Sequence, residues 1–97
     1  MADKLFPFQP GAMLHDAIIG AFRASGQSFE RWCRENNVLP TNARNATYGM
    51  MKGARGQEIL AQLIEEAGPA VVRAGYLARL ARHNEAIDQA TEAGDAA

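Results

Sequence analysis

The sequence predicts an all-α protein, a compact bundle of four to five helices that contains a helix-turn-helix. Three observations carry this prediction. Apolar residues recur at the i, i+3, i+4 spacing of one helical face within residues 14–22, 59–64 and 72–80. Between those stretches stand the residues that end or start helices, namely Gly26, Asn37, Pro40, Gly68 and Pro69. Finally, 97 residues with 47% apolar and 22% charged side chains are enough for one hydrophobic core and have the composition of a folded domain.

The elements follow in order. Residues 1–11, with Phe6, Phe8, Pro7 and Pro10, read as an extended arm whose aromatic rings pack back on the core. Leu14, Ala17, Ile18, Ala21 and Phe22 form the inner face of a first helix over about 12–25, and Gly26 supplies a left-handed C-cap. Ser28 caps a short second helix that buries Phe29, Trp32 and Cys33 and ends at Asn36 and Asn37. Asn37 turns the chain in the left-handed region, and Val38 plugs into the core. Pro40 opens a third helix capped by Thr41, over about 41–48. The glycines at 49, 53 and 56 predict a flexible loop that carries Lys52 and Arg55. A fourth helix over about 57–67 turns Ile59, Leu60, Leu63 and Ile64 inward and stops at Gly68. Pro69 starts a fifth, with Val72, Tyr76, Leu77, Leu80 and Ile87 in a broken apolar stripe. The domain plan is thus an arm (1–11), a helix-turn-helix domain (12–68), a C-terminal helix for packing or dimerisation (69–90) and a disordered tail (91–97).

Residues 29–48 meet the steric demands of a helix-turn-helix, in which two short helices cross closely over a small residue. Counting Phe29 as first, the fifth residue is the small Cys33, the ninth is the turn-forming Asn37 and the tenth is Val38. Ala43 and Ala46 then fall at the inward positions of the second helix of the pair. Thr41, Asn42, Arg44, Asn45 and Tyr48 are left facing outward. Those side chains suit duplex DNA: Arg bonds guanine bidentately, Asn bonds adenine, and Thr and Tyr hydroxyls meet phosphates. Ser28 and Arg31 on the preceding helix, with Lys52 and Arg55 on the loop, complete the expected DNA-binding set.

Charge distribution agrees. The net charge is −1, yet residues 23–55 carry six basic side chains against two acidic ones, whereas residues 56–97 carry three basic against seven acidic. Such asymmetry lets one region meet phosphates while the rest is repelled by them.

Other chemistries find little support. Cys33 is the sole cysteine, so it forms no internal disulfide, and with His15 and His83 it falls short of a structural zinc set. Cys33 reads as a core filler, and His15 beside Asp16 as surface or capping chemistry. No nucleophile, base and oxyanion donor assemble, so the chain reads as a non-enzyme without cofactor. The glycine loop has neither phosphate-loop nor dinucleotide spacing. No apolar run approaches the about 18 residues of a membrane span, and the expected location is the cytoplasm, at the nucleoid.

The sequence also resembles the lambda-repressor-like helix-turn-helix superfamily, and within it the phage Ner-like regulators. The resemblance rests on the His-containing first helix, the Gly26-Gln27-Ser28 turn, the 44–48 segment Arg-Asn-Ala-Thr-Tyr, and Lys52-Gly53 leading into Glu58-Ile59-Leu60. It implies a transcriptional regulator whose third helix enters the major groove, bound to double-stranded DNA as a homodimer. Asn36, Asn37 and Ala43 depart from the family pattern, which expects an apolar residue, a glycine and a branched residue there. The acidic fifth helix lies beyond the resemblance. It motivates a contact with the transcription machinery and an alternative reading, a helical adaptor that holds a protein partner without recognising DNA.

Overall fold

The computed structural model describes the backbone of residues 7–96 and the side chains of residues 7–91. Five helices follow one another: α1 (Ala12–Ala24), α2 (Phe29–Glu35), α3 (Pro40–Thr47), α4 (Ala54–Ala67) and α5 (Pro69–Ala96). Among the described residues there is no strand, so the all-α bundle expected from periodicity is the fold. The arm's first six residues, Phe6 included, and Ala97 lie outside the described residues.

One device ends the first three helices. After α1, Gly26 takes φ 78°, Gly26 N donates to the Arg23 carbonyl at 3.1 Å, and Gln27 N donates to the Phe22 carbonyl at 2.8 Å. After α2, Asn37 takes φ 57° and the same pair recurs, Asn37 N to Arg34 O and Val38 N to Cys33 O at 2.9 Å. After α3, Gly49 takes φ 83°, with Gly49 N to Ala46 O and Met50 N to Asn45 O at 2.7 Å. Each is a left-handed residue that lets two N–H groups past the helix end bond back to carbonyls of the last turn. Asparagine performs at position 37 what glycine performs at 26 and 49, because its short polar side chain tolerates the left-handed region.

Helix starts differ from expectation in two places. Leu39, not Thr41, is the N-cap of α3, and no side chain caps that terminus. The reason is Pro40, which holds the residue before it in an extended conformation, here φ −66° and ψ 134°. Helix α4 starts at Ala54, so Arg55 belongs to its first turn and not to a loop. Gly56 permits this: it is buried against the preceding segment, and a Cβ there would collide with the Met51 carbonyl oxygen. The helical backbone of α5 also runs on to Ala96, past the point where a disordered tail is expected. Residues 85–96 are mostly Ala, Glu, Asp and Gln without proline, a composition that propagates a helix already started.

Leu14, Ile18 and Phe22 of α1, Ile59 and Leu63 of α4 and Val72 of α5 are fully buried, with Trp32 and Tyr76 close behind. The α1 and α5 backbones approach closely at Ala17 and Gly75, where a Cβ on Gly75 would sit 3.6 Å from that of Ala17. The arm folds onto this pair: the Phe8 ring stands edge-on to Tyr76 at 5.1 Å, and Gln9 N donates to the Tyr76 hydroxyl at 3.1 Å. Beyond Leu80, every described side chain of α5 is exposed. That projecting half stretches the molecule to 53 × 30 × 28 Å.

Candidate nucleic-acid interface

Helices α2 and α3 pair through the small and apolar residues that the motif requires. Cys33 and Ala43 have no exposed surface, and Ala46 and Val38 are buried beside them. A continuous helix through Asn37 is ruled out by its positive φ, so two short helices meet at a tight turn. Helix α3 is then fastened to α1 from below. The buried Thr47 hydroxyl donates to the Arg44 carbonyl at 2.8 Å, and its oxygen therefore accepts from His15 Nδ1, also at 2.8 Å. The Thr47 carbonyl accepts from Gly11 N at 2.9 Å. Tyr48 stacks on the His15 ring, centroids 4.6 Å apart and planes 27° apart.

His15 is thus a core residue, not surface or capping chemistry. Burial holds its imidazole below the ordinary value of 6.5; Asp16 opposes that shift and Arg44 adds to it. Sequence reasoning missed both His15 and Thr47. The available signal was spacing: His15 falls with Ile18, Ile19 and Phe22 at i, i+3, i+4 and i+7 on the apolar face of α1.

The candidate contact residues separate into three groups. Thr41 and Arg44 are exposed on α3, and Tyr48 is exposed at its C-cap. Asn42 and Asn45 are half-buried, so Asn45 is not presented alongside Arg44 as fully as expected. The Gly49 turn explains this, since Met50 N folds back onto the Asn45 carbonyl and brings the chain beside that residue. The third group frames α3. Ser28 is exposed, with its hydroxyl accepting from Arg31 N at 3.2 Å as the α2 cap. Lys52 is exposed on the loop before α4.

Ion pairing sorts the cations. Arg31 is bound to Glu35 at 3.3 Å and Arg55 to Glu58 at 2.8 Å, both at the surface. Among the described residues Arg23, Arg34, Arg44, Lys52, Arg79 and Arg82 have no carboxylate partner. Of these cations open to an external anion, Arg44 is the one on α3. It also borders an open cleft of about 400 Å³ with Gln27, Ser28 and Phe29, which joins the exposed start of α2 to the exposed side of α3.

Among the described residues no cluster of His, Cys, Asp and Glu is placed to hold a metal. The Cys33 thiol is buried and its pKa is raised by that burial and by Glu30, which makes it a packing residue. No described helix is long and apolar enough to cross a membrane. Comparison with protein-family models, with curated proteins and with solved structures finds no match to this chain.

Proposed function

We propose that the chain is a sequence-specific DNA-binding transcriptional regulator that lays α3 in the major groove and acts at the nucleoid as a homodimer on two half-sites. The observation that carries this reading is the unpaired Arg44, exposed with Thr41 on the second helix of a closely packed, Asn37-turned pair. In such a pair the second helix supplies base contacts and the first, with flanking loops, holds the backbone. Arg44 and Thr41 are assigned to base edges, and the half-buried Asn42 and Asn45 to contacts at the edge of the footprint. Ser28, Arg31, Tyr48, Lys52 and Arg55 are assigned to phosphates, with Lys52 the strongest because it is unpaired. Selection of bound duplexes from a random pool tests the reading. Enrichment of a two-fold-symmetric motif supports a dimeric reader, and recovery of an unenriched pool rejects sequence recognition.

A second reading is favoured by a different observation: on α5 Leu77 is 42% exposed, and Ile87 on the projecting half is 48% exposed. That surface suits a protein contact, with a component of the transcription machinery or as an adaptor that binds no DNA. Truncation after Ala81 separates the two, because Val72 and Tyr76 remain in the core. Loss of a partner with intact DNA selection assigns the projecting half of α5 to protein contact, and unchanged partner capture both by this truncation and by Leu77→Ser removes α5 from it.

A further inference from the structure

Helix α3 begins on an exposed leucine. The N-cap Leu39 is 66% exposed, and Pro40 and Thr41 after it are exposed as well. A helix N-terminus facing only water favours Ser, Thr, Asp or Asn at this place, since their side-chain oxygen accepts from the free N–H groups of the first turn. Leu39 has no such oxygen, and Pro40 has no N–H. This end of α3 is therefore poorly built both as a solvated terminus and as a cluster of phosphate donors. What it presents is apolar carbon.

The surroundings specify the partner of that carbon. An open cleft of about 630 Å³ lies between α2 and the start of α3, with Cys33 and Val38 among its lining and Glu30 and Arg34 beside them. Arg34 on one side and Arg44 farther along α3 are both without a carboxylate partner among the described residues. Leu39 thus shares its cleft with the unpaired Arg34 and with Glu30, and an apolar tip beside a free cation matches a surface that is apolar at one point and anionic next to it. The major-groove edge of thymine is such a surface, because its C5-methyl projects between two phosphate backbones.

We propose that Leu39, at the exposed N-terminus of α3, contacts the 5-methyl group of a thymine and so fixes one base of the recognised sequence. This rests on the DNA reading above and adds a specificity residue that the helix-turn-helix pattern does not identify. Local stability is given up for it: a serine at position 39 would cap α3 better than leucine does.

The test uses the full chain and a duplex enriched from the random pool, with each thymine replaced in turn by deoxyuridine, which lacks only the methyl. Wild-type affinity falls about fourfold at one thymine, the loss expected for one buried methyl. Leu39→Ala shows a similar loss on the unmodified duplex and no further loss with deoxyuridine at that base. Leu39→Ser loses binding likewise while its thermal midpoint rises, which separates lost contact from lost folding. If every deoxyuridine duplex affects wild type and Leu39→Ala alike while Arg44→Ala still relaxes base preference, the tip does not read thymine although α3 reads DNA. If the wild-type chain shows no preference for any duplex, the DNA reading fails and this assignment fails with it.

Discussion

Thr47 shows how much one side chain does for α3. Its hydroxyl connects His15 of α1 to the Arg44 carbonyl, so the residue below and the residue expected to touch DNA share one buried oxygen. Thr47→Val keeps the shape and removes both bonds, leaving His15 Nδ1 without an acceptor. Chemical denaturation should register a loss of about 1 to 3 kcal/mol. The same histidine makes stability depend on pH. Its imidazole titrates below 6.5 in the folded chain, so the unfolded chain binds the proton first as pH falls. The stabilisation is complete above the unfolded value of about 6.5 and declines through the window beneath it. Urea midpoints at about pH 7.5 and about pH 5 should differ more for wild type than for His15→Gln; equal differences would remove His15 as the titrating group. These roles were hidden in the sequence because a histidine next to an aspartate reads as surface, and only the packed partner reveals the hydroxyl facing it.

Elements were legible where local chemistry determines them. The Gly26 and Asn37 turns, the Ser28 cap and the inward Ala43 and Ala46 follow from propensity and spacing, and the structure has them. The start of α4 was not legible, because a glycine reads as a breaker until the group pressed against it is known. Gly56→Ala tests that explanation directly. The added methyl meets the Met51 carbonyl, so this helix-favouring substitution should destabilise the chain by about 1 to 3 kcal/mol. A gain in thermal midpoint would contradict the packing of the 49–53 loop against α4. Trp32 offers a contrast within α2, since its burial was expected and is found at 7% exposure. Trp32→Ala should cost about 3 to 5 kcal/mol in urea denaturation, through loss of core packing rather than of any contact surface.

At the scale of the whole molecule, charge is divided between the ends. The unpaired Arg34, Arg44 and Lys52 lie on and around α2 and α3, and the projecting half of α5 holds Glu85, Asp88, Glu92 and Asp95 against Arg82 alone among Lys and Arg in sequence. Under the proposed DNA-binding reading, a phosphate backbone is attracted by one region and repelled by the other, which would favour a single orientation on DNA. Lys52→Ala should weaken binding to all duplexes alike and reduce the slope of affinity against salt by about one. The extent of α5 was the least legible feature, because beyond Leu80 there is no packed face whose periodicity could announce it. The proposed recognition depends on α3 reading bases through Arg44, and a gel-shift comparison of wild type with Arg44→Ala on an enriched duplex and a scrambled one tests this most directly. Arg44→Ala should lose about 1 to 3 kcal/mol of the preference for the enriched duplex while keeping its affinity for the scrambled one. An identical preference in the two proteins would mean that α3 is not the reader.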